Sequence, residues 1–209
     1  MRPIRITTTL TAANAQAISS ANSYSAAGAV TFNGSEVSGG IVSFATPRPI
    51  AFDSTSNENG KVFTFTGTVL QGGGSVSEAL TATLSSGRSV NFFFTVTGIT
   101  VGSATAGAVK FGTDGTGGSN PIPVDYLVAP FAVGVAAVLT TGSANWTLQL
   151  TNDNVFDSTA TPVWIDDATH TSKSASFSAA VTNPCRAMRI KINSGTGTVT
   201  TTFVQGIIG

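Results

Sequence analysis

Along most of the chain, apolar and polar residues alternate, which is the pattern of half-buried β-strands. Residues 62–66 (VFTFT) place two phenylalanines on one face and threonines on the other. The same period of two returns in residues 76–84, 131–139, 145–151 and 188–192. Only residues 11–20, which are rich in alanine, could support a short helical turn. The pattern therefore predicts an all-β protein, an antiparallel β-sandwich of jelly-roll or immunoglobulin-like type.

The segment NFFFTVTGITV, at residues 91–101, breaks this alternation at one point. A period of two places Phe92 and Phe94 in the core and leaves Phe93 on a face lined by threonines. After Gly98 the apolar residues change phase, which indicates a bulge or bend at that glycine. Phe93 is therefore a candidate for contact with a neighbouring element or subunit.

A polar, glycine-rich segment near the middle of the chain indicates a division into two units. Residues 112–120 read GTDGTGGSN and lead into two prolines, a composition typical of a linker. The parts before and after it end alike, each with a strand, a small turn and a second strand. The sequence predicts two related β-sandwich units, residues 1–113 with an extended N-terminal arm and residues 124–209, joined by a linker at residues 114–123.

Charged residues are scarce, and this excludes several classes of partner. Only 10% of the residues are charged, against about 25% in typical soluble proteins, and ten basic residues balance ten acidic ones. Nucleic-acid binding is not expected, because it requires a basic stripe. No membrane association is expected either, since the longest apolar run, residues 127–139, is too short to span a bilayer. A surface poor in charge suits a protein assembled against neighbours.

No group of residues has the spacing of a known catalytic or metal-binding site. Cys185 is the single cysteine and His170 the single histidine, and nothing in the sequence brings them together. We expect Cys185 to be a buried core residue and His170 to be exposed. The glycines at residues 112–118 lack the lysine and helix of a phosphate-binding loop, and residues 151–157 do not fit an EF-hand. The sequence predicts a protein that is not an enzyme, with no catalytic residues, no metal and no cofactor.

Several segments together resemble small β-rich virion structural proteins of tailed bacteriophages: FTFTGTVLQGGGSVSEALTATL, FFTVTGITVGSATAGAVKFGT and AMRIKINSGTGTVTTTFVQ. The resemblance covers most of the chain from Pro47 onward. It implies a non-enzymatic component of the virion, made in the host cytoplasm, that forms homo-oligomers and binds the major capsid protein or other virion proteins. The first expectation is a capsid decoration or cement protein that stabilises the assembled head. A neck, tail or fibre component is the alternative.

Two further expectations concern residues that contact partners. The N-terminal segment, with Arg2, Ile4 and Ile6, is a candidate arm that adds a strand to a neighbouring subunit. A carbohydrate-binding module of a receptor-binding structure belongs to a different class of function. It would be tested at the two tryptophans, Trp146 and Trp164.

Overall fold

The computed structural model describes residues 3–157 and 161–206, and these residues form strands, turns and bends without an α-helix. The strands are, in chain order, β1 (Ile4–Leu10), β2 (Asn14–Asn22), β3 (Gly28–Ala29), β4 (Val37–Ser38), β5 (Ile41–Arg48), β6 (Ile50–Ser54), β7 (Val62–Thr68), β8 (Ser75–Thr81), β9 (Ser86–Arg88), β10 (Phe93–Val101), β11 (Val109–Thr113), β12 (Gly117–Gly118), β13 (Ile122–Pro123), β14 (Val133–Thr151), β15 (Ile165–Asp166), β16 (Phe177–Val181) and β17 (Ala187–Gln205). Their pairing is antiparallel, which confirms the predicted all-β sandwich class. No helix in the described part of the chain could cross a membrane.

One compact unit comprises Ala12–Asp114 and contains two sheets. The larger sheet has the order β4-β5-β10-β7-β8 with β3 beside β10, and the smaller has the order β2-β11-β6-β9. Phenylalanine rings join the two layers. Phe63 of β7 lies 4.6 Å from Phe52 of β6 and 5.5 Å from Phe111 of β11, measured between ring centroids. Such pairs stabilise a core beyond the area that they bury.

The other unit comprises Met1–Thr11 and Gly115–Gly209, and its strands form one sheet. Strands β14 and β17 pair along their full 19-residue length, with register shifts after Leu139 and after Asn145. Gly142 and Gly195 have φ values of 69° and 91° in this region. Glycine adopts this left-handed conformation without strain, and irregular pairing bends a strand. Residues from both halves of the long strands enter a single core, including Val133, Val135, Trp146, Leu148, Ile190 and Phe203.

The observed division of the chain differs from the predicted one at two places. The N-terminal segment, expected as an arm for a neighbour, is strand β1 and pairs with β17 of its own chain from Ile4–Phe203 to Leu10–Gly197. This happens because Ile4, Ile6 and Leu10 alternate onto one face and pack against the core of that unit. The predicted linker also contributes structure, since β12 and β13 pair with β17.

The phenylalanine triplet also differs from its predicted arrangement. Phe93 is fully buried in the core, whereas Phe94 is only half-buried. The pairing of β10 with β5 shifts register between Phe93 and Thr95, and its pairing with β7 shifts again between Val96 and Gly98. The predicted irregularity at Gly98 is thus present, and the earlier shift turns Phe93 inward. Phe93 is a core residue rather than an exposed contact.

Candidate functional site

His170 and Asp167 form a close pair, but the pair serves the local fold. His170 Nδ1 lies 2.7 Å from the Asp167 carboxylate, which also accepts the amides of Thr169 and His170. The imidazole stacks on Phe177 with ring centroids 4.7 Å apart, and Phe177 stacks on Trp146. His170 is buried, which corrects the expectation that it is exposed. The aspartate thus fixes a turn that holds the ring on an aromatic stack.

Cys185 is buried, as expected for a structural cysteine. Burial raises the pKa of its thiol to about 11, so little reactive thiolate exists near neutral pH. No group of three or more His, Cys, Asp or Glu side chains in the described residues is arranged to hold a metal ion. Cys185 is therefore not a reactive thiolate at neutral pH.

Glu58 is a buried carboxylate in the two-sheet unit. It accepts the amides of Ala106 and Gly107, each at 2.9 Å, and the Ser54 hydroxyl at 2.7 Å. Burial raises the pKa of Glu58, but these hydrogen bonds and the charge of Lys61 together lower it by more, so the pKa lies below its ordinary value. The carboxylate fastens the loop between β10 and β11 to the turn that follows β6.

The two-sheet unit also has a groove of about 440 Å³ on one side of its smaller sheet. Ala51, Phe52 and Gly87 form part of its apolar lining. An ion pair between Arg88 and Asp114, 2.7 Å apart, stands at its border. The groove therefore combines an apolar floor with charges that already neutralise each other.

A second distinctive arrangement lies in the single-sheet unit, around a buried arginine. Arg189 Nε donates to Gln149 Oε1 at 2.8 Å, and Gln149 Nε2 donates to Asp166 Oδ1 at 2.6 Å. The guanidinium carbon lies 4.2 Å from the centroid of the Trp164 ring, a cation–π arrangement. Burial lowers the pKa of Arg189 to about 9, although the charge of Asp166 raises it. This network fixes the half-buried Trp164 on the sheet.

Three large apolar side chains that are near Trp164 in the sequence are exposed. Phe156 and Val163 are each 68% exposed, and Ile165 is 64% exposed. The Asp153 carboxylate accepts the amide of Val163 at 2.6 Å, which ties the two ends of the loop together. We call Phe156, Val163 and Ile165 the apolar loop patch. Large apolar side chains exposed in one stretch of the chain make that stretch a candidate contact surface.

The sequence-predicted contact residues are only partly available to a partner. Ile4 and Ile6 are half-buried on β1, and Phe93 is buried. Arg2 lies outside the described residues. Trp146 is completely buried. The sequence patterns considered above did not predict the patch, although the apolar run at residues 163–165 offered a signal for it.

Comparison of the chain with protein-family models, with curated proteins and with solved structures finds no match in any of the three. The candidate site is therefore defined by its own residues, the apolar loop patch, in the same unit as Trp164 and Arg189.

Proposed function

We propose that this protein is a non-enzymatic structural component of a tailed-phage particle, and specifically a decoration or cement protein on the assembled head. The apolar loop patch is the observation that carries the proposal. Exposed apolar and aromatic side chains form the central, water-excluding part of protein interfaces. The low charge of the chain supports the same role, because few charges oppose association.

Stabilisation of a head would follow from selective binding. A protein that binds assembled capsid subunits, and not free ones, shifts the equilibrium toward the shell by mass action. Arg189 stacks on Trp164, the neighbour of Val163 and Ile165 in the chain, and a side chain ordered in this way loses less conformational entropy on association. No reactive group takes part in this mechanism.

The patch provides a direct test of the proposal. The triple variant Phe156→Ser, Val163→Thr and Ile165→Thr removes exposed apolar surface without removing core residues. Purified protein and the variant are each added to phage heads that lack the protein, and bound protein is quantified after sedimentation. We expect the variant to lose at least about ten-fold in affinity, equivalent to about 1.4 kcal/mol.

A matched control uses exposed valines elsewhere in the same unit. Val138 and Val204 are 45% and 42% exposed and lie outside the patch. The double variant Val138→Thr and Val204→Thr is expected to bind heads like the unaltered protein. Equal binding by all three proteins, or no binding by any of them, would contradict the proposed role of the patch.

The alternative functions predict different binding behaviour and different exposed side chains. A neck, tail or fibre component would bind isolated necks or tails in the same sedimentation assay and leave heads unoccupied.

A carbohydrate-binding module would need aromatic faces open to a sugar ring. Trp146 is completely buried against Phe177, and one face of Trp164 is occupied by Arg189. The structural role is therefore the one that the geometry favours.

A further inference from the structure

The chain contains two Asn-Gly dipeptides, Asn33-Gly34 and Asn59-Gly60. Such a pair can react with itself. The glycine nitrogen forms a bond to the asparagine Cγ atom, the bond from Cγ to Nδ2 breaks, and ammonia leaves. Water then opens the cyclic imide to give aspartate or isoaspartate, so no reactant other than water is needed. Glycine favours this reaction because it has no Cβ atom to restrict its backbone or hinder its nitrogen.

At Asn33 the fold opposes the reaction. Asn33 Oδ1 accepts the Ser20 amide at 2.8 Å and the Ser20 hydroxyl at 3.1 Å, so the carboxamide is held in one orientation. The Gly34 amide donates to the Ile18 carbonyl at 2.9 Å. Gly34 is also closely packed, since a Cβ atom there would lie 2.4 Å from the Ala17 backbone. Attack on the Asn33 carboxamide therefore disrupts hydrogen bonds at both reacting groups.

Asn59 and Gly60 lie in an exposed turn that restrains them less. In the described part of the chain, the hydrogen bonds of this pair are made by backbone amides. Asn59 donates to Asn57 Oδ1 at 3.0 Å, and Gly60 donates to the Ala82 carbonyl at 2.8 Å. Gly60 has a φ of 77°, and a Cβ atom there would meet nothing within 4 Å. The Asn59 carboxamide therefore rotates more freely than a carboxamide held by two hydrogen bonds.

We propose that Asn59 is a site of spontaneous modification, at which the folded protein slowly converts asparagine to isoaspartate and aspartate. The choice between the two dipeptides follows from their hydrogen bonds. Release of the Gly60 amide from Ala82 precedes attack at Asn59, whereas Asn33 must also give up two hydrogen bonds to Ser20. Each of these bonds adds to the free energy of local opening. The inference does not depend on the virion role.

Isoaspartate at position 59 alters the turn that supports Glu58. Across this turn, the Lys61 amide donates to the Glu58 carbonyl at 2.9 Å. Isoaspartate carries the main chain through its side-chain carbon, so the turn closed by that bond gains one backbone atom. The longer turn displaces the Glu58 carboxylate from the amides of Ala106 and Gly107, and the new carboxylate adds a like charge beside it. Modification therefore lowers the stability of the two-sheet unit.

Rates measured at the two asparagines test the site. The full chain is incubated at physiological temperature and neutral pH, and peptide mass spectrometry with fragmentation measures aspartate and isoaspartate at each position. We expect Asn59 to react at least about ten-fold faster than Asn33, equivalent to about 1.4 kcal/mol. A parallel incubation in guanidinium chloride is the control. Both dipeptides are exposed in the unfolded chain, so they should react there at similar rates.

The variant Asn59→Gln tests the effect of the modification on stability. Glutamine keeps an exposed amide at this position, but it reacts through a larger ring and is expected to remain unmodified. Freshly prepared, the variant and the unaltered protein should unfold at the same urea concentration. After the incubation, the midpoint of the urea transition should shift to lower concentration in the unaltered protein and stay constant in Asn59→Gln.

The remaining outcomes overturn the inference. Reaction at Asn33 as fast as at Asn59 in the folded protein would refute the assigned site, as would an equal difference between them in the unfolded chain. A folded protein that stays unmodified at both residues would show that the hydrogen bond from Gly60 to Ala82 protects Asn59. A midpoint that stays constant after isoaspartate has formed, or that falls equally in Asn59→Gln, would refute the effect on Glu58.

Discussion

Glu58 has a completely buried side chain, and its carboxylate is surrounded by hydrogen-bond donors from Ser54, Ala106 and Gly107. Because its pKa is lowered in the folded protein, ionised Glu58 contributes stability above the carboxyl pKa of the unfolded chain, about 4.3. That contribution is lost as the pH falls through the folded-state pKa. Protonation of Glu58 in acid is thus expected to lower the stability of the two-sheet unit.

Replacement of the carboxylate tests this expectation. Glu58→Gln presents an amide group to backbone amides, so at least one buried donor loses its acceptor, at a cost of about 1–3 kcal/mol. Urea unfolding followed by circular dichroism at pH 7 should show that loss. As the pH is lowered from 5 to about 3, the free energy of unfolding should fall by less in the variant than in the unaltered protein.

Asp53 offers a matched control for the same measurement. Its ion pair with Lys110, at 2.8 Å, is half exposed on the aspartate side. Water screens such a pair, so Asp53→Asn should change the free energy of unfolding by at most about 1 kcal/mol. Equal effects of the two substitutions at pH 7 would contradict the role assigned to Glu58.

Individual residues show where sequence reasoning succeeds and where it stops. The sequence predicts that Cys185 is buried, and it is. His170 was expected to be exposed because its neighbours in sequence are polar, but Phe177 covers its ring. Local composition does not reveal a contact made by a residue from a different strand. Phe93 was misplaced for a related reason, since a register shift against β5 reverses the side to which it points.

The long hairpin of β14 and β17 depends on glycines at the level of the element. Gly195 has a φ of 91°, and a Cβ atom there would clash with the carbonyl oxygen of Ser143. We expect Gly195→Ala to destabilise the protein by about 1–3 kcal/mol, because alanine is strained in the left-handed region. The change is measured as the shift in free energy of unfolding by urea.

Gly134 on β14 provides the comparison. Its φ lies outside the left-handed region, and a Cβ atom would meet nothing closer than 3.6 Å. Gly134→Ala should be neutral or stabilise the protein by about 0.5–1 kcal/mol, because alanine reduces the entropy of the unfolded chain. A loss of stability at Gly134 equal to that at Gly195 would contradict the account of the bend.

Strand patterns were predicted more reliably than strand connections. Alternation correctly predicts strands in residues 62–66 and 188–192, because a sheet with one buried face imposes a period of two. An Asn-Gly dipeptide such as Asn33-Gly34 is typical of a hairpin turn, yet both of these residues donate their amides to the Ile18 carbonyl. The turn between β4 and β5 falls instead at Gly39 and Gly40, both with positive φ.

At the scale of the whole molecule, the chain enters and leaves the two-sheet unit once. The single-sheet unit needs both Met1–Thr11 and Gly115–Gly209, since Leu10 is part of its core. The sequence could not predict this assembly, because β1 pairs with residues almost 200 positions away and carries no signal of its partner. The boundary at Asp114 was visible because glycine and proline accumulate after it.

This organisation makes a prediction about fragments. Residues 12–114 contain both sheets and the core of their unit, so they are expected to fold alone with a cooperative urea transition. Residues 115–206 should be less stable by at least about 3 kcal/mol without Leu10 and the rest of β1. Joining residues 3–11 after residue 206 through a flexible linker should restore that stability. Equal stability with and without β1 would contradict the assigned division.

The central claim is a structural role on the surface of an assembled phage head. The measurement that tests it most directly is quantification of this protein, by gel densitometry and cryo-electron microscopy, in purified particles of a tailed phage whose genome contains its gene. We expect many symmetric copies on the outside of the head, in a fixed ratio to the major capsid protein. Absence from the particle, or confinement to the neck or tail in a few copies, would contradict the claim.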